Sequence, residues 1–253
     1  MLTILLSFLV GATDSPTVPS DAFFAPSVKV GDIFNVHESQ RISGTLGQAR
    51  EQVQSFDAVM RSVSSDEHGV KIDISIKSMP AFGSQSMTFQ SSGAILGTDL
   101  QPIRNHFLIA PLYDQTFFGT PPANIGVGTS WTVNLQPWRL GPAGEAIVTV
   151  SKIDKNDAIV ELSVKGEGFG TLGEDAENDR VSISDGSHSA SLESAPQKSQ
   201  WTATLKVQAG VIISESATVK TQWRIPSSEM GPASTYVETH TGNFVVSKVA
   251  GSK

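Results

Sequence analysis

The sequence predicts a mainly β protein: antiparallel curved sheets or half-barrels built from two related repeats, with few short helices. Three observations carry that prediction. Val70, Ile72, Ile74 and Ile76 alternate without a break with Lys71, Asp73, Ser75 and Lys77, and a period of two gives a strand one buried and one wet face. Charged residues are only 17% of the chain while Gly, Ser and Thr are plentiful, a mix that suits strands and turns better than long helices. Finally, two separated stretches follow one script. Residues 26–36 (PSVKVGDIFNV) lead to a hairpin over 56–78, and residues 123–135 (ANIGVGTSWTVNL) lead to a hairpin over 144–166.

The elements follow in order. Met1 to Val10 are almost entirely apolar, and Gly11, Ala12 and a polar Pro-containing stretch follow. Val10 and Ala12 stand three and one residues before a cleavage point, so residues 1–12 read as a signal peptide and the mature chain begins near Thr13. No Lys or Arg precedes the apolar run, and the competing reading is a buried first strand. The run is too short to span a bilayer, which takes about 20 apolar residues. Prolines at 16, 19 and 26 make 13–25 an extended linker, because proline fixes φ and removes a donor. Residues 26–253 then form a single β domain, with repeat-like units at about 26–100 and 123–249.

Within the first unit, Gly31-Asp32 reads as a turn between apolar positions, and residues 39–52 are polar and give no clear signal. Phe56 to Val63 reads as a strand, Ser64 to Gly69 as a turn and 70–77 as the returning strand. Met87 to Phe89 and Ile95-Leu96 suggest a further hairpin. Four prolines at 102, 111, 121 and 122 mark 101–123 as a connector with one short helix and an apolar stretch at 107–118. Strands resume at Trp131. Ala146, Val148 and Val150 alternate with Ile147, Thr149 and Ser151, Asp154 to Asp157 turn, and Ile159 to Val164 return. Residues 166–199 read as a long acidic loop holding one short strand at Val181 to Ile183. Trp201 to Val207 and Val211 to Ile225 form a long hairpin with Ala209-Gly210 at its tip, and Tyr236 to Val249 is the last strand.

Each scripted stretch opens with a Val-Gly-Asp/Thr turn leading to an aromatic, Phe34 or Trp131. One such unit cannot bury its apolar face alone, whereas two side by side can share a core. Residues 26–34 (PSVKVGDIF) and 125–131 (IGVGTSW) resemble the repeat openings of exported bacterial β-repeat proteins of unknown function. More distantly, the pattern is similar to the LolA/LppX-type carriers, whose curved sheets cup acyl chains. That resemblance implies a curved antiparallel sheet and a lipid or other apolar cargo. The chain departs from those lipoproteins in having no cysteine.

The same absence excludes disulfides, Cys zinc sites and a Cys nucleophile. With 18 Lys+Arg against 25 Asp+Glu the net charge is −7, which argues against nucleic acid as a partner. No two of His37, His68, His106, His188 and His240 lie within ten residues, so no local metal pair exists, and each reads as a solvated or core histidine. No nucleophile elbow, P-loop or dinucleotide fingerprint occurs. Gly166 to Gly170 reads as a flexible strand end. The acidic-loop residues Glu174, Asp175, Glu177, Asn178, Asp179 and Asp185 lack calcium-loop spacing and read as solvated. Asp73 and Glu161 fall on wet faces of corresponding hairpins, and Trp131, Trp138, Trp201 and Trp223 read as core. No catalytic residue, metal or cofactor is predicted.

The expected function is therefore an exported binding or carrier protein of the cell envelope, secreted or periplasmic and non-enzymatic, for a lipid or other apolar small molecule lodged near 107–118. No transmembrane segment is expected in the mature chain. The alternative is a secreted carbohydrate-active or other hydrolytic accessory protein, which requires exposed Trp faces or a convergent carboxylate pair.

Overall fold

The structure, a computed structural model, describes residues 17–25, 28–46, 48–67, 69–77, 84–89, 95–96, 119–135, 144–170, 182–184, 189–191, 197–225, 227 and 232–249. The expected signal peptide, most of the 101–123 connector, His68, His106, His188, Trp138 and most of the acidic loop lie outside them. In chain order the elements are β1 (Val18–Pro19), α1 (Asp21–Phe24), β2 (Ile33–Leu46), β3 (Gln48–Asp66), β4 (Gly69–Ile76), β5 (Ser84–Phe89) and β6 (Ile95–Leu96). Then come β7 (Asn124–Ile125), β8 (Ser130–Leu135), β9 (Gly144–Asp154), β10 (Ile159–Gly170), β11 (Ser182–Ser184), β12 (Ser189–Ser191), β13 (Gln197–Gln208), β14 (Val211–Ile225) and β15 (Ser234–Lys248).

Eleven of these strands make one open antiparallel sheet in the order β6-β5-β4-β3-β2-β15-β14-β13-β10-β9-β8. The mainly β, antiparallel prediction holds, and among the described residues no helix is long and apolar enough to cross a membrane. Alternation sorts the two faces of this sheet. The inner face carries Phe34, Met60, Ile72, Ile74, Val148, Leu162, Val164, Leu205 and Phe244, all buried in one cluster. The polar stretch 39–52 supplies the long outer halves of β2 and β3, where β15 and β3 flank β2 on either side. Ladder hydrogen bonds, not apolar side chains, hold that region in the sheet, so its hydropathy carried little strand signal.

Residues 17–25, read as linker, are packed. β1 pairs with β7, and the single turn of α1 sends Phe23 and Phe24 into the core. Phe24 meets Trp131 edge to face at 6.4 Å. The Gly210 amide at the β13–β14 tip donates to the Phe23 carbonyl at 2.8 Å. Two phenylalanines supply the burial that the prolines alone did not suggest. The tip itself has positive φ at Ala209 (52°) and Gly210 (76°), the pair of left-handed residues that a tight hairpin turn demands. Residues 166–170 and 197–199, read as loop, are strand.

Two turns match in detail. Asp32 donates its amide to the Lys29 carbonyl at 3.0 Å, and Thr129 does the same to Gly126 at 2.9 Å. Gly31 and Gly128 have φ of 93° and 91°, the type II turn geometry that favours glycine. Asp32 Oδ2 accepts from the Lys29 amide and Thr129 Oγ1 from the Gly126 amide, each at 2.9 Å. Each turn then grips a neighbouring strand: Gly31 donates to Ser62 and Gly128 to Val150, both at 2.8 Å. Directly after the gripped residue each strand bulges, at Val63 in β3 and at Ser151 in β9. A bulge inserts one extra residue and sharpens the local twist.

Candidate functional site

The outer face carries the candidate site. Side chains on it stand in rungs that cross the strands, about 4.8 Å apart between strands and about 7 Å apart along one strand. Two neighbouring rungs over β9, β10, β13 and β14 line an open groove of about 720 Å³. Ile147, Lys165, Thr202 and Thr218 form one rung, and Glu145, Glu167, Gln200 and Lys220 form the other. That volume lies in the range of small-molecule sites. Gln200 Nε2 donates to Glu167 Oε1 at 3.0 Å.

The groove floor is braced from the inner face. Trp201, 2% exposed, lies across Gly166 and Gly144: a Cβ at Gly166 would overlap the indole ring, and one at Gly144 would stand 2.8 Å from Trp201 Cη2. The Gly-rich run at 166–170 thus begins as a bed for an aromatic ring rather than a flexible end. Gly44 plays the same part under Tyr236, whose Oη an added Cβ would overlap. An aromatic over a strand glycine restores the packing that the missing side chain forfeits.

Charge register sets this groove apart from the rest of the outer face. Two rungs away, Glu161 sits between Lys152 and Lys206, at 3.9 and 3.4 Å. That is the attractive pairing expected across strands. In the groove Glu145 instead stands directly opposite Glu167, a like-charge pairing that destabilises a sheet. The rung between the Glu161 rung and the groove is uncharged. It runs from Ser130 through Thr149, Ser163, Thr204, Ser216 and Asn243 to Ser39 and Ser55, across eight strands.

The residues weighed from sequence fall elsewhere. Asp73 and Glu161 do lie on the wet face, but five strands separate β4 from β10, and Asp73 already accepts from Ser86. Exposed His37 meets Asp57 at 2.9 Å, and half-buried His240 pairs with Glu238, which also accepts from Tyr236 at 3.4 Å. Among the described residues no group of three His, Cys, Asp or Glu is placed to hold a metal ion. Trp131 is half-buried and Trp201 buried, as core packing requires. Sequence reading missed the groove because its lining comes from four strands. The one local signal was Ile147, an apolar residue at a wet position, 53% exposed. The chain matches no family model, and no curated protein matches it.

Proposed function

We propose that the protein is a non-enzymatic binding protein exported to the cell envelope, with the outer-face groove as its binding surface. The observation that carries this reading is the groove's register: a sheet built only for solubility gains nothing by setting Glu145 against Glu167, and a ligand that bridges them gives the pairing a use. The apolar run at 1–10 supports export. The 107–118 stretch expected to hold an apolar cargo lies outside the described residues, and most side chains that line the groove are polar or charged.

The matched turns at 29–32 and 126–129 support a duplicated origin for the two halves. The strands they introduce follow one left-to-right order, β4-β3-β2 and β10-β9-β8.

Protein recovered from its own envelope tests the reading. N-terminal sequencing is expected to begin near Thr13, and intact Met1 on that material overturns cleavage. Native mass spectrometry is expected to show a bound non-protein mass lost on unfolding. A bare polypeptide mass, unchanged after chemical crosslinking of fresh envelopes, overturns binding.

A further inference from the structure

We propose that the groove takes an uncharged, hydroxyl-rich chain, a glycan laid across the strands; this rests on the binding role given above. Four charges line the groove and they cancel: Lys165 and Lys220 against Glu145 and Glu167. A polyanion would meet two carboxylates and a polycation two ammonium groups, so neither is matched. Within the groove an acyl chain finds one exposed apolar side chain, Ile147, among polar ones. A peptide recognised by strand addition needs a free sheet edge, and all four strands are interior, each paired on both sides.

Sugar hydroxyls both donate and accept, and the groove offers both functions. Carboxylates only accept and ammonium groups only donate. A sugar that bridges Glu145 and Glu167 donates one hydroxyl to each carboxylate and screens the repulsion that the register builds in. Lys165 and Lys220 donate to ring and hydroxyl oxygens, and Thr202 and Thr218 supply neutral partners. The uncharged rung beside the groove, Thr149 to Ser216, extends a surface of the same chemistry. Buried Trp201 beneath Gly166 holds the floor rigid, which lowers the ordering cost of binding.

Isothermal titration of the full chain tests this with cellohexaose, maltohexaose, mannohexaose, chitohexaose, polyglutamate and phosphatidylcholine vesicles. At least one neutral hexasaccharide is expected to bind. The double variant E145Q/E167Q is expected to weaken it at least ten-fold while melting no lower than the parent, since a repulsion is removed. K206A, outside the groove, is expected to leave affinity unchanged. Binding of vesicles or polyglutamate but of no hexasaccharide overturns the glycan assignment and leaves the binding role standing. A hexasaccharide that binds the double variant undiminished removes the site from this groove. No binding of any probe, with a bare native mass from the envelope, overturns both.

Discussion

The turns at 29–32 and 126–129 share every backbone hydrogen bond described above, yet only the first carries an ion pair. Lys248 Nζ reaches Asp32 Oδ2 at 2.7 Å and lies 6.0 Å above the Phe34 ring. The equivalent oxygen at the second turn belongs to Thr129 and accepts from the Gly126 amide. Position in the sheet explains the contrast. β2 is interior and β15 lies beside it to offer a lysine, whereas β8 is the last strand of the ladder. A left-handed glycine and a side-chain oxygen three residues after the turn's first position are what this turn needs; charge is added only where a neighbour exists to meet it.

The largest expected effect lies in the two glycine beds beneath aromatics, Gly166 under Trp201 and Gly44 under Tyr236. Gly166→Val is expected to cost about 3 kcal/mol or more, because the new side chain collides with a fully enclosed indole. Gly44→Val is expected to cost less, about 1–2 kcal/mol, because the obstructing atoms are the outer end of the Tyr236 ring. Urea unfolding of both variants decides it, and equal costs would mean that the two aromatics are equally confined.

Gly31→Ala and Gly128→Ala sharpen the comparison most directly. Neither site has an atom within 4 Å of an added Cβ, so only backbone strain at positive φ acts, about 1–2 kcal/mol at each. The two losses are expected to agree within about 0.5 kcal/mol. A difference of about 1.5 kcal/mol or more in chemical denaturation, beyond the spread of one strain mechanism, breaks the equivalence of the turns.

Asp32→Asn separates them again, by a smaller amount. Burial raises the Asp32 carboxyl, but the Lys248 ammonium and the Lys29 amide and charge outweigh it, so its pKa falls below the ordinary 3.8. A carboxyl lowered in the folded chain stabilises the fold above its ordinary value and loses that contribution as pH falls through the lower folded value. The variant is therefore expected to lose up to about 1 kcal/mol at neutral pH, with the gap to the parent closing in strongly acidic buffer. Thr129→Asn, with no such charge, is expected to show no closing gap in the same denaturation series. Smallest of all, Ala209→Asn is expected to stabilise by about 0.5 kcal/mol, since asparagine tolerates the left-handed φ of 52° better than alanine; a lower melting temperature would count against that turn geometry.

Much of the sheet was legible because burial imposes a local period. The alternation at 70–77 and 146–151 located β4 and β9, and Ala209-Gly210 located a hairpin tip whose two residues are both left-handed. The Val-Gly-Asp/Thr openings likewise marked real turns, since positive φ restricts the residue choice at one position. Where the sequence is polar on both faces, as in 39–52, no period distinguishes a strand from a loop, and pairing with β15 made the decision.

By itself, then, the chain determined its class, its faces and its turns, all of which depend on residues near one another along it. The order of eleven strands, the bed of Gly166 and Gly144 under Trp201, the docking of Phe23 and Phe24 and the groove with its opposed glutamates were decided only in three dimensions. Each depends on which strand lies beside which and in what register. Strand pairing is set by the free energy of the whole sheet, and no short window of sequence carries it.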